Sequence, residues 1–373
     1  MKSRISRRQF IERLATLGLG AGGVAALSAC GARPTPELAR IATSAPTATA
    51  APATATAAPT PAPTQAPTQA ASATNTPAPT QPPTAAPTET ATQPPTKAPS
   101  ATPSPAYLAV VRGANAAEIT RRAVAAIGGI ERFVKPGANV IIKPNICNAY
   151  HTAEYASTTN PEVVATLVEL ALGAGAKRVR VMDFPFGGTA QAAYATSGIE
   201  KAVKAAGGQM EVMNQVKYRE IELPKGRKIK KWTVYGEVLD ADVVINVPIA
   251  KHHGTTGLTL AMKNLMGVVQ DRAGFHARGL HQCIADLCTA VQPQLTVIDA
   301  VRILVNNGPT GGDLNDVKQT NTVIASADMV AADAYATTLF NQTADDIGYI
   351  KLGAEMGIGT KDLKSIKIAE LSL

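Results

Sequence analysis

Val140-Ile141-Ile142-Lys143-Pro144-Asn145, followed by a polar stretch that closes on Thr158-Thr159-Asn160-Pro161-Glu162, is the part of the chain whose reading decides the fold. The first run is a short apolar strand candidate that ends on a lysine. Asn160-Pro161-Glu162 is a helix start, with Asn as N-cap and Pro at the first helical position. A strand that feeds a loop and then a helix is the opening of an α/β unit with a parallel sheet. In open sheets of that kind ligands bind outside the carboxyl ends of the strands, where Lys143 and Asn145 fall. The same stretch also reads as a long polar crossover loop without a ligand.

Working outward, the pattern repeats. Strands are predicted at Leu108–Val111, Val140–Lys143, Val179–Met182, Met210–Met213, Val243–Val247, Leu295–Ile298 and Thr322–Ile324. Helices are predicted near Ala117–Ile127, Glu162–Ala174, Ile199–Ala206, Leu258–Gly267, Arg278–Val291 and Met329–Phe340. The expectation is a single α/β domain over residues 106–373, with a mainly parallel sheet flanked by helices. Lys217–Thr233 breaks the rhythm and reads as an exposed hairpin with a basic turn, and a charge run of that kind is usually a solvated face.

The rest of the chain differs in composition. Of its 26 prolines, 18 lie in the first 105 residues, and residues 41–105 lack Phe, Trp, Tyr, Cys, Met and Gly altogether. Such a stretch cannot build a core; its Ala/Pro/Thr repeats favour extended, solvated conformations, so residues 30–105 read as a disordered Pro/Thr/Ala-rich stalk. Residues 1–40 carry seven Lys/Arg and two acids, whereas residues 106–373 carry 28 basic and 25 acidic residues, so most of the +8 charge lies in the leader. With no basic-aromatic interleaving further on, nucleic acid is set aside as a partner.

Residues 1–29 resemble a twin-arginine, lipoprotein-type signal: Arg7-Arg8-Gln9-Phe10 precedes an apolar run from Leu14 to Leu27, and Leu27-Ser28-Ala29-Cys30 resembles a lipobox. The run is too short and glycine-rich for a spanning helix, which needs ~20 apolar residues. Acylation at Cys30 would anchor the chain to the outer face of the cell membrane, an extracytoplasmic location, after passage through the twin-arginine export machinery. Ordinary small-residue cleavage, with Cys30 incidental, is the alternative.

All five histidines lie between His151 and His281. Lys251-His252-His253-Gly254 follows the apolar strand at Val243 and brings a cation and a titratable pair to a strand's exit. Lys263-Asn264 sits in an otherwise apolar segment, where a buried lysine needs a partner or an anion. Lys143, Asn145, Lys251, Lys263 and Asn264 are therefore the candidate anion ligands, with His252 or His253 as general acid/base. Asp183, Asp299 and His281 are weak metal candidates, since no metal-binding spacing such as H-x-x-x-H appears. Asn307–Asp313 is a glycine loop at a strand exit, either a cover for a ligand or an ordinary turn.

The ordered series Lys143-Pro144-Asn145, Thr159-Asn160-Pro161, Asn246-Val247-Pro248 with Lys251 and His253, and Lys263-Asn264-Leu265-Met266-Gly267 resembles the domain of unknown function 362 family across residues 106–373. The resemblance implies a shared site and no particular reaction. Some members carry a ferredoxin-like cysteine cluster; here Cys147, Cys283 and Cys288 are one short of four thiolates and lack a C-x-x-C run, so an iron–sulfur cluster is not carried over. The cofactor is left unknown and the thiols read as small apolar residues. The expected function is binding, with or without transformation, of a small anionic carboxylate or phosphate ligand. The alternatives are a non-catalytic sensor lipoprotein and a redox or metal-dependent protein.

Overall fold

The computed structural model describes residues 105–373. The leader, Cys30 and the linker lie outside the described residues. The strands are β1 (Leu108–Arg112), β2 (Asn139–Pro144), β3 (Arg178–Val181), β4 (Gln209–Met210), β5 (Tyr218–Glu222), β6 (Lys231–Tyr235), β7 (Val243–Val247), β8 (Ile249–His253), β9 (Gly257–Thr259), β10 (Leu295–Leu304), β11 (Val317–Ser326) and β12 (Ile368–Ser372). The main sheet runs β12-β1-β11-β10-β7-β2-β3-β4, and β8 joins it by pairing with β10 and β9. The pairings β10/β7, β7/β2, β2/β3, β3/β4 and β1/β12 are all parallel, while β11 runs against both its neighbours. The fold is thus α/β with a mainly parallel sheet, as expected.

Successive side chains along each strand enter different cores, because the side-chain period of a strand is two. Ile141, Val244 and Ile298 join a core beneath α6 (Ala261–Asn264), α8 (Leu280–Cys288), α9 (Met329–Thr337) and α10 (Gly348–Glu355). Val140, Ile142 and Val297 join the opposite core, covered by α1 (Ala116–Ala126), α2 (Pro161–Gly173) and α4 (Ile199–Ala205). Strands with both faces covered read as continuous apolar runs, which is why they were legible. Short helices α3 (Ala190–Thr196), α5 (Gly236–Asp240) and α7 (Arg272–Arg278) fill connections.

Two predicted helices are corrected. Leu258 does not open a helix: residues 257–259 form β9, which pairs antiparallel with β8, and the helix begins only at Ala261. The second, Arg278–Val291, is broken at Gly279, whose φ of 95° ends α7 and starts α8. The strand predicted at Met210–Met213 is reduced to Gln209–Met210, whereas β10 and β11 extend well beyond their predicted ends.

The Lys217–Thr233 hairpin forms as β5 and β6. Its turn is more than a solvated face, since the wholly buried carboxylate of Asp286 accepts from Arg227 N (2.8 Å), Lys228 N (2.6 Å) and Ile229 N (2.8 Å).

Candidate functional site

Register assembles the first part of the site. Lys143 on β2 lies beside Asn246 on β7. Asn264, on α6, donates through Nδ2 to Asn246 Oδ1 (2.8 Å) and accepts through Oδ1 from Lys143 Nζ (3.0 Å). Asn246 Nδ2 in turn donates to Ala261 O (2.9 Å), tying the helix to the strand. The N-terminus of α6 is held by Asp333 on α9, which accepts from Ala261 N (2.6 Å) and Met262 N (2.9 Å). Burial pushes the Asp333 carboxyl up to about 8, against those two backbone donors.

Lys143 is 1% exposed and pairs with Asp183 at 2.7 Å. It also donates to Pro144 O (2.8 Å). Burial holds its ammonium below the usual lysine range while Asp183 pulls the other way. Asp183 is itself fixed by Ile146 N (2.6 Å). Gly267 lies against this pair: a Cβ there would overlap Asp183 Oδ1 and sit 2.5 Å from Lys143 Nζ and 2.7 Å from its Cε.

The second part comes from β8. Lys251, also 1% exposed, donates to Ser157 O (2.6 Å), Asn145 Oδ1 (3.0 Å) and Pro309 O (3.0 Å). Asn145 Nδ2 donates to Asn264 Oδ1 (2.8 Å), so a continuous chain of hydrogen bonds runs from Lys143 through Asn264 and Asn145 to Lys251. All three acceptors of Lys251 are neutral, and it forms no ion pair among the described residues. Thr259 lies opposite it across β8 and β9, hence on the same face. Thr259 Oγ1 and Ser157 Oγ are buried with no hydrogen-bond partner among the described residues.

The structure separates the two histidines. Neighbours on a strand face opposite ways, so His252 and His253 do not point into one site. His253 shares the face of Lys251, and burial, then Lys263 and Lys251, push it down to about 2. Its Nδ1 accepts from Thr255 N (3.1 Å), which leaves the proton on Nε2. In this arrangement His253 offers the site an Nε2–H donor. His252 Nδ1 accepts from Gly308 N (3.1 Å).

Lys263 is 9% exposed and its Nζ lies 3.9 Å from Met266 Sδ. Its charge adds to burial in lowering His276 and His281 as well as His253. Asn264 therefore belongs to the Lys143 side, while Lys263 acts on the histidines.

The weak metal candidates are engaged elsewhere. Asp299 accepts from Asn160 N (2.7 Å) and Val301 N (3.0 Å), fixing the entry to α2, and burial pushes it up to about 6. His281 Nδ1 accepts from Tyr349 N (3.1 Å) and its ring stacks on Tyr349.

The glycine loop covers Lys251. Pro309 O accepts from Lys251 and from Cys147 Sγ (3.3 Å), and Gly308 packs so closely on β8 that a Cβ would overlap His252 O. Cys283 and Cys288 lie in the apolar core as expected, but Cys147 borders the site. Ser157, Thr259, Cys147 and Asp333 were missed by sequence reasoning; the pairing of β9 with β8, which no local pattern announces, is what brings Thr259 in.

Residues 140–338, more than half of the chain, match the family described as Domain of unknown function (DUF362). The chain belongs to that family. Every site residue named above lies within the DUF362 match. A relative, the thylakoid-associated protein sll1697 of Synechocystis sp. (strain ATCC 27184 / PCC 6803 / Kazusa), is 30% identical over 227 residues, covering 57% of this chain and 66% of that protein. Among solved structures, the lactate racemase apoprotein from Thermoanaerobacterium thermosaccharolyticum aligns at a TM-score of 0.44 and 13% identity, covering 64% of this chain and 57% of that one.

Proposed function

We propose that this DUF362 protein is an extracytoplasmic, lipid-anchored binder of a small carboxylate- or phosphate-bearing molecule, taken at the carboxyl ends of β2, β7 and β8. The observation that carries this reading is Lys251, a buried ammonium whose acceptors are all neutral, beside the partnerless hydroxyls of Ser157 and Thr259. Burying an unpaired charge costs several kcal/mol, and a buried hydroxyl without a partner costs ~1–3 kcal/mol. One anionic oxygen that takes the place of one of the three neutral acceptors of Nζ and also accepts from a hydroxyl relieves both costs. Lys143 is already neutralised by Asp183, so Lys251 is the primary ligand contact, and Asn145 and Asn264 orient it.

A purely binding role is favoured by the strand geometry: of the two histidines only His253 shares the face of Lys251, with its Nδ1 already taken by Thr255 N, and His252 faces away.

Calorimetry of the full chain with inorganic phosphate and with succinate tests the site. Saturable binding is expected, weakened at least roughly tenfold by Lys251→Met. A smaller loss is expected for the near-isosteric Thr259→Val, whose fold is readily confirmed by thermal melting. Absence of binding to both probes, or wild-type binding by both variants, sinks the reading. For the anchor, Cys30→Ser should move the chain from the membrane to the soluble fraction; a variant that stays with the membrane refutes lipidation there.

A further inference from the structure

A second cationic feature lies away from Lys143 and Lys251. From Lys225 to Lys231 the chain carries five basic residues in seven and no acid. The turn that presents them is held in place: its three backbone N–H groups bind the buried Asp286, which Gln282 Nε2 also supports at 2.8 Å, and Leu223 and Ile229 are buried beneath it. A turn fixed in this way loses little entropy when its side chains meet a ligand. Behind it lies a cleft of about 430 Å3, lined among others by Lys228, Lys230, Lys231, Trp232, Gln270 and Arg278.

The two acids of the cleft are committed. Glu220 pairs with Lys231 (2.8 Å), and Asp271 accepts from Gly274 N (3.0 Å) at the start of α7. Four cations against two carboxylates leave the lining positive, and Lys228 forms no ion pair among the described residues. We propose that this cleft is a second binding site, independent of Lys251, for an extended phosphate polymer that carries no bases.

The polymer follows from the weakness of single exposed contacts. Each is worth at most ~1 kcal/mol, so only an array engaged by several phosphates gives useful affinity. The lack of bases follows from Trp232. Its ring packs edge-on against Phe275 (4.8 Å between centroids), lies under Arg278 (5.2 Å), and donates from Nε1 to Gln270 O (2.8 Å). It therefore offers no stacking platform of the kind single-stranded nucleic acids use. A flat anionic membrane fits less well than a narrow chain, because the exposed acids Glu220, Glu222 and Glu355 flank the cations and would be pressed against it.

Trp232 is the sole tryptophan of the chain and lines the cleft, so its emission reports occupancy. Titration of the full chain with long-chain inorganic polyphosphate should give a saturable change. The affinity should fall roughly tenfold or more between about 50 and 200 mM salt, as expected for about three phosphate contacts. The triple variant Lys228→Gln, Lys230→Gln, Lys231→Gln should lose at least roughly tenfold in affinity, whereas Lys177→Gln, Lys201→Gln, Lys364→Gln should not. Lys251→Met should bind polyphosphate as wild type, which separates this site from the one proposed above. Wild-type binding by the first triple variant, equal affinity for oligo-dT or for phosphatidylglycerol vesicles, or no response to polyphosphate overturns the proposal.

Discussion

Gly267→Ala isolates the steric requirement of the Lys143–Asp183 pair. Gly267 lies in the short 3-10 turn that follows α6, at a backbone conformation open to alanine, so backbone preference alone favours the substitution by ~0.4–1 kcal/mol. The added methyl would overlap Asp183 Oδ1 and stand 2.5 Å from Lys143 Nζ. Overpacking costs ~1–3 kcal/mol and separating a buried ion pair ~3–5 kcal/mol, with partial relaxation between them. A net loss of about 3 kcal/mol is expected, which at roughly 2–4 °C per kcal/mol lowers Tm by about 6–12 °C. Urea unfolding followed by Trp232 emission measures it. Gly173→Ala is the matched comparison: it sits at the end of α2 with nothing within 4 Å of the new Cβ, and should stabilise by up to ~1 kcal/mol. A Gly267→Ala protein as stable as wild type, with the comparison behaving as stated, would refute the close packing of the pair.

Three further outcomes are expected. Lys143→Met leaves Asp183 buried without its counter-ion and should cost ~3–5 kcal/mol in urea unfolding, whereas adding Asp183→Asn should recover a substantial part; equal losses would contradict the pairing. His253, depressed to about 2, contributes stability that is present above the unfolded value near 6.5 and is lost as pH falls toward 2. His253→Gln should therefore flatten the loss of stability between pH 6.5 and 4, and an unchanged slope in urea midpoints against pH counts against a neutral imidazole. Gly308→Ala would drive a methyl into His252 O and lift the loop from β8, so limited proteolysis within residues 307–313 should accelerate severalfold; unchanged cleavage would mean the loop is not held there.

The parallel core was legible because strands covered on both faces need uninterrupted apolar runs, and Val140–Lys143 and Val243–Val247 supply them. The loop entering α2 was legible because Asn160 caps and Pro161 starts a helix by local chemistry alone: Asn160 Oδ1 accepts from Glu162 N at 2.8 Å. Leu258–Gly267 misled because its apolar spacing suits a helix, while the turn at Gly254–Thr256 folds residues 257–259 back on β8, a tertiary contact that overrides local preference. For the same reason Lys143, Asn145, Asn264 and Lys251 could be nominated from the sequence, but not the order in which they bond. Nor does any short-range pattern show that His252 and His253 serve different surroundings until β8 is known to be a strand.

The ten-residue β10 acts as a rail along which β7 and β8 are laid end to end, paired at Leu295–Thr296 and at Asp299 and Leu304, with Pro248 O taking Asp299 N (2.9 Å) at the junction. The face each residue presents beyond that junction is set by counting. A residue gained or lost between Val247 and Ile249 would turn Lys251 and His253 to the other side and bring His252 round in their place. This step of the chain therefore accepts changes of residue type far more readily than changes of length, and related chains that keep the lysine are expected to keep the eight-residue interval from Val243 to Lys251.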